Sequence, residues 1–221
     1  MHKSLSIAQY IAVVFFLISG HSLLSAQEIQ WIANYDTAKQ RAFAGKFFII
    51  LYFENGMIGQ SFKMDRETWN RPSIIALAKN YICFRVDYTR LSLSRNMIAR
   101  DRIDRLGLKY RIKNTPAVII SDAVGNELQR SVGYMSENDL GEMLKKFPLN
   151  LADLYPVLER LVGDPDNVRL KIQAGDIYRN LKMPLVSNRY YAEVENSDTV
   201  KVDRELADHI ATSRAVNLDA L

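Results

Sequence analysis

Apolar side chains recur at Trp31, Ile32, Tyr35, Ala38, Ala42 and Phe43, at steps of three and four residues. That spacing predicts a helix over Ile29 to Ala44, with Gly45 as its stop. The pattern then changes. Phe47 to Phe53 is an unbroken apolar run, rich in aromatic and branched residues, which predicts a strand covered on both faces. Helical spacing returns from Gln60 to Trp69, Pro72 marks a break, and Ser73 is placed as the cap of a helix from Ile74 to Asn80. Tyr81 to Asp87 reads as a second strand. Arg90 to Tyr110, with Leu93, Met97, Ile98, Ile103, Leu106 and Leu108 apolar, predicts an amphipathic helix covering a sheet face.

After Thr115-Pro116 come a strand A-V-I-I-S, a turn D-A-V-G-N and a strand E-L-Q-R-S-V, the pattern of an antiparallel hairpin. Ser136, with Asp139 three residues on, caps a last helix to Lys146. The order α-β-α-β-α-β-β-α predicts an α/β unit over residues 27–148: a mixed central sheet with helices on both faces. Residues 149–221 carry no strand signal. Helices are expected there over Leu151 to Val162, Val168 to Leu181, Pro184 to Val194 and Lys201 to Val216, forming a small all-α segment.

The first 26 residues have a different pattern. His2 and Lys3 precede the apolar run I-A-Q-Y-I-A-V-V-F-F-L-I, Gly20 and His21 break it, and L-L-S-A ends at Ala26. This is the layout of a secretory signal peptide, so the mature chain is expected outside the cytoplasm, periplasmic or secreted. An uncleaved anchor over Leu5 to Leu24 is the alternative, and membrane contact is expected only in that case. The 29 basic and 25 acidic residues are interleaved, which argues for a mixed solvated surface and against nucleic-acid binding. Cys83 is the one cysteine, so no intramolecular disulfide forms, and its place in Y-I-C-F-R-V-D suits a core filler.

Trp31, Gly45-Lys46, Lys63 to Asp65, Val86-Asp87, Thr115-Pro116, Asp122 to Gly125 and Gly133-Tyr134 follow one another at spacings that resemble the thioredoxin superfamily, in particular its extracytoplasmic members. The resemblance covers about Gln30 to Phe147 and implies the thioredoxin-like fold. It also implies a peptide-binding edge at Thr115-Pro116, whose bond is cis in the family. Counting back from Lys63-Met64-Asp65 puts Ile58, Gly59, Gln60 and Ser61 where the family carries C-x-x-C, with Ile58 and Ser61 in place of the two thiols. Tyr52 stands where thioredoxins carry a buried Asp.

Thiol–disulfide exchange needs a thiolate and a resolving thiol, and Ile58 supplies neither. Ser61 is expected to satisfy amides at the helix start, since a hydroxyl without a general base is a poor nucleophile. No catalytic residue, cofactor or metal is expected. A protein or peptide partner is, held at Met57, Ile58, Thr115, Pro116, Gly133 and Tyr134, an apolar shelf beside open backbone that suits strand-like pairing. In the alternative, Ile58 caps the core and Thr115-Pro116 is scaffold. Asp36, Glu54, Asp65 and Asp87 read as scattered surface or capping acids.

In the tail, Gly175, Tyr178, Ser187 and Tyr191 keep the spacing of one tetratricopeptide-like repeat, with Tyr190 and Tyr191 either core or groove aromatics. The function expected is that of an exported non-redox adaptor or chaperone-like binding protein; the alternatives are an oxidoreductase-related protein acting through Cys83 or a partner's thiol, and a structural subunit assembled through its helical tail. The oligomeric state is left open by the sequence.

Overall fold

The computed structural model describes residues 28–93 and 96–219, so the signal segment expected at residues 1–26 lies outside the described residues. Among the described residues no helix is long and apolar enough to cross a membrane. Asn34 starts the first helix: its side chain accepts from the Thr37 amide, and the helix α1 runs over Tyr35–Gly45. Trp31–Ile32, expected to be helical, instead forms a short strand β1 paired in parallel with Cys83 and Phe84. The correction has a local cause, because an Asn at the cap position ends the extended segment and begins the helix.

The apolar run becomes β2, Phe48–Glu54, buried along its whole length. It is the middle strand of a five-stranded sheet ordered β1-β3-β2-β4-β5, where β3 is Tyr81–Asp87, β4 Ala117–Ser121 and β5 Glu127–Val132. β1, β3 and β2 are mutually parallel, whereas β4 and β5 run antiparallel, as the hairpin pattern implied.

The pleat separates two faces. Tyr52 lies opposite Arg85 and shares its face with Tyr81, whose hydroxyl donates to the Leu144 carbonyl at 2.5 Å in α6, Glu137–Lys145. Leu51 lies opposite Phe84, whose ring meets Tyr35 of α1 on the other face at 5.3 Å. Ser136 caps α6 in a full capping box with Asp139, as its spacing implied.

Other helices depart from their expected bounds. The segment from Gln60 to Trp69 is a short helix α2, Gly59–Met64, continued by a π turn over Asp65–Trp69. Pro72 opens α3, Pro72–Ala78, behind Arg71, so Ser73 lies inside the helix and donates to Glu137 instead of capping. The long helix expected over Arg90 to Tyr110 is two helices, α4 over Tyr88–Leu93 and α5 over Met97–Lys109.

The tail comprises α7 (Leu154–Gly163), α8 (Val168–Asn180), α9 (Pro184–Val194), α10 (Asp198–Val202) and α11 (Arg204–Asp219). Helix α9 has the expected bounds, while the helix expected from Lys201 to Val216 is split into α10 and α11. A Cβ at Gly175 would come within 2.6 Å of the Tyr191 ring, and the Ser187 hydroxyl donates to the Gly175 carbonyl at 2.7 Å. Only glycine therefore lets α8 and α9 approach this closely. Tyr190 and Tyr191 are both buried, the core version of the two readings.

The tail shares the hydrophobic core of the sheet, through Tyr155, Leu158, Leu170, Tyr178, Val186 and Tyr190. Its attachment is the turn between β4 and β5. Asp122, fully buried, accepts from the Gly125 and Asn126 amides at 2.8 Å each and from the Tyr178 hydroxyl at 2.6 Å, while the Asn126 side chain donates to Tyr190 at 2.8 Å. Tyr155 reaches the Phe47 carbonyl at the start of β2. β4 is antiparallel to β2, so this turn and Phe47 lie at one end of the sheet, while Thr115-Pro116 and the loop after β2 lie at the other.

Candidate functional site

The loop that follows β2 is tied down by its own polar groups. Asn55 donates its amide to the Ser61 hydroxyl oxygen at 3.2 Å, its side-chain oxygen accepts from the Met57 amide at 3.0 Å, and Gly56 donates to the Thr89 hydroxyl at 2.7 Å. Ser61 is fully buried and is the third residue of α2, so it satisfies a loop amide and not a helix-start amide as expected. Ile58 occupies the cap position and makes no side-chain cap hydrogen bond. With Ser61 sealed and Ile58 apolar, neither position offers a nucleophile.

Beneath the loop, Tyr52 points its hydroxyl at the Ser61 carbonyl, 3.4 Å away, and its ring packs against Trp31 and Trp69 at centroid distances of 5.7 and 5.1 Å. Burial, with the Asp65 and Glu54 carboxylates adding to it, raises the tyrosine's pKa well beyond its ordinary value. It therefore fills the Asp position of the resemblance with bulk and no proton acceptor.

Glu54, expected as a surface or capping acid, is 1% exposed. Arg85 donates to its Oε1 through Nε at 3.1 Å and a terminal nitrogen at 2.8 Å, and to Asp65 at 2.5 Å. Glu54 is the last residue of a strand covered on both faces, so it has no route to solvent, and Arg85 on β3 shares its face. Burial raises the Glu54 carboxyl above its usual range; Arg85 opposes that shift, and Asp87 and Asp65 add to it. Asp87 does cap, accepting from the Thr89 and Arg90 amides.

Cys83 is 4% exposed, and burial pushes its thiol up to about 12. A thiol in that state supplies almost no thiolate at neutral pH.

Around the loop lies open space. A cavity of about 800 Å³ is bounded by Ile58 and Asn55, by Tyr88 of α4, by Asp104, Gly107 and Leu108 of α5, and by the segment Arg111 to Thr115. Ile58 is 39% exposed towards it, so this side chain does not cap the core. The structure brings Ile58 and Thr115 to one groove. The Thr115-Pro116 bond is cis, and the Gly133 amide donates to the Pro116 carbonyl at 2.8 Å. Gly133 adopts φ +92, and a Cβ there would lie 3.7 Å from the Gln60 side chain, so β5's end runs beside α2. No described residue hydrogen-bonds the backbone N–H or C=O of Thr115.

Of the six expected binding positions, Met57, Pro116, Gly133 and Tyr134 do not line this groove, and Pro116 is buried. Tyr134 lies further along α2, its ring under Lys63 at 4.5 Å and its hydroxyl 3.3 Å from Glu67. Met57 is highly exposed and does not line the groove. Sequence reasoning missed Leu108 and Tyr88 as groove walls, because nothing in their spacing tells which helix face meets the loop after β2. Among the described residues no group of three or more His, Cys, Asp or Glu side chains is placed to hold a metal ion.

Residues 35–148 match the thioredoxin-like domain family. Solved structures similar to the chain include DsbH oxidoreductase, at 18% identity and TM-score 0.43 over 54% of this chain and 90% of that one. The C-terminal domain of DsbD from Neisseria meningitidis, oxidised form, matches at 16% identity and TM-score 0.42, over 53% of this chain and 98% of that one. A thioredoxin from Thermus thermophilus matches at 16% identity and TM-score 0.44, over 54% and 86%. No curated protein matches.

Proposed function

The chain belongs to the thioredoxin-like domain family, and on that premise we propose that it is an exported, non-redox binding protein that holds extended peptide or protein segments, as an adaptor or chaperone-like subunit. The observation that carries this reading is the groove at the former thiol positions. Ile58 offers hydrocarbon where the family offers sulfur, Ser61 is sealed beneath it, and the Thr115 backbone on the facing wall has no hydrogen bond among the described residues. An extended segment adds hydrogen bonds at Thr115 and buries an apolar side chain on Ile58 and Leu108, which is affinity without bond chemistry. Export is supported by the leader-like pattern of the first 26 residues.

Insulin reduction by dithiothreitol tests the redox half. The mature protein is expected to leave the rate at that of dithiothreitol alone, and clear acceleration would overturn the reading. Ile58→Asp places a charge in the apolar wall and is expected to weaken capture of an unfolded client by about tenfold, with the unfolding midpoint unchanged.

A second reading, a structural subunit assembled through α7 to α11, is supported by Leu185, Val202 and Leu218, which the tail leaves exposed. It places the contacts at the other end of the molecule.

A further inference from the structure

The net charge of +4 is not spread over the chain. Between residues 97 and 113 stand six basic residues, Arg100, Arg102, Arg105, Lys109, Arg111 and Lys113, against two acids, Asp101 and Asp104. That excess of four equals the net charge of the whole chain, so the remainder is balanced. The interleaving seen along the sequence therefore hides a basic flank, made of α5 and the loop that leads to Thr115.

Part of this charge faces the groove. Arg111 and Lys113 both line the cavity beside Ile58, both are exposed, and neither has an ion-pair partner among the described residues. Arg105, by contrast, is paired with Asp101 at 2.5 Å. Arg111 holds its place by a closed helix end: its amide donates to Leu108 and that of Ile112 to Gly107, with Arg111 at φ +50. Among the described residues Asp104 is the one carboxylate of the groove wall, about two helical turns before Arg111.

We propose that this groove selects acidic extended segments: a strand-like stretch of a partner protein whose apolar side chain rests on Ile58 and Leu108 and whose neighbouring Asp or Glu carboxylates meet Arg111 and Lys113. The proposal rests on the peptide-binding reading above and adds the partner's charge to it. Peptide and not nucleic acid is the favoured occupant. The walls are apolar at Ile58, Leu108 and Ile112, and the Thr115 backbone, without a hydrogen bond among the described residues, matches another backbone. Rim charges of this kind govern selection and on-rate, and their effect falls as salt screens them.

The test uses the mature chain and three labelled peptides in fluorescence anisotropy, alike in an apolar centre and differing in flanks of Asp and Glu, of Asn and Gln, or of Lys. The acidic peptide is expected to bind about tenfold more tightly than the neutral one, and the basic one more weakly still, with the spread shrinking at about 0.3 M salt. In Arg111→Glu with Lys113→Glu the order of the acidic and basic peptides reverses, with the unfolding midpoint recorded alongside to show that the variant is folded. Equal binding of all three peptides, with loss in Ile58→Asp, overturns the charge selection and leaves the groove reading standing. No binding of any peptide overturns both, and displacement of the acidic peptide by a stoichiometric amount of single-stranded DNA overturns the choice of partner.

Discussion

Replacing Arg85 by methionine is expected to lower the folding free energy by about 3–5 kcal/mol, because it leaves Glu54 and Asp65 against the sheet without their counter-charge. Among the described residues Glu54 Oε2 and Asp65 Oδ1 are buried without a hydrogen-bond partner, so Arg85 is what holds the two acids in place. The loss should depend on pH. The folded-state pKa of Glu54 lies above its ordinary 4.5, so its contribution to stability is complete below that value and is lost as pH rises through the folded pKa. Arg85 opposes that upward shift in the wild type. Without it the folded pKa moves higher, and the loss extends further towards neutrality. Urea unfolding at about pH 4 and about pH 7 should show a larger gap between variant and wild type at the higher pH, with part of it recovered by adding Glu54→Gln. A loss under about 1 kcal/mol at both values would mean that the pair is solvated.

The second large effect concerns the tail. Asp122→Ala removes one acceptor and leaves the Tyr178 hydroxyl, the Asn126 side chain and two backbone amides short of a partner in the interior. About 3 kcal/mol or more is expected, since hydrogen bonds to a charged group are the stronger ones and the stranded donors are buried. The consequence should be local before it is global. Protease cleavage between α6 and α9 is expected to accelerate ahead of cleavage in the sheet, whereas uniform loss would mean that the tail and the sheet unfold as one cooperative body. The shared core makes the tail part of the fold, so a chain truncated at Leu149 would expose Tyr155 and Leu158 contacts on the sheet.

Much of the fold was legible because its signals are local. The continuous apolar run ending at Phe53 reads as a strand covered on both sides, being too short for a helix and rich in branched and aromatic residues, and Ser136 with Asp139 announces α6 by cap chemistry alone. β1 was not legible as a strand, since Trp31 and Ile32 stand at helical spacing from Tyr35 and two residues are too few for alternation to show. The signal that separates them was Asn34, a strong cap residue with Asp36 just beyond.

The candidate site divides along the same line. Counting from Lys63-Met64-Asp65 locates Ile58 and Ser61, because sequence position there is fixed by the helix. The burial of Glu54 was hidden, since its partner is 31 residues away and only the register of β2 against β3 brings Arg85 to its face. The available clue was Glu54 at the end of one apolar strand run and Arg85 inside another. The basic flank was hidden by averaging, because charge counted over 221 residues conceals an excess confined to one helix and one loop.

On the reading proposed above, the loop after β2, with Thr115 facing it, holds an extended segment without redox chemistry. Backbone amide chemical shifts, recorded while the acidic-flanked peptide is titrated into the mature protein, test it most directly. The expected result is a saturable set of changes at Ile58 to Ser61, Leu108 and Lys113 to Thr115, with α7 to α11 unmoved. Changes confined to the tail, or none anywhere at saturating peptide, would contradict it.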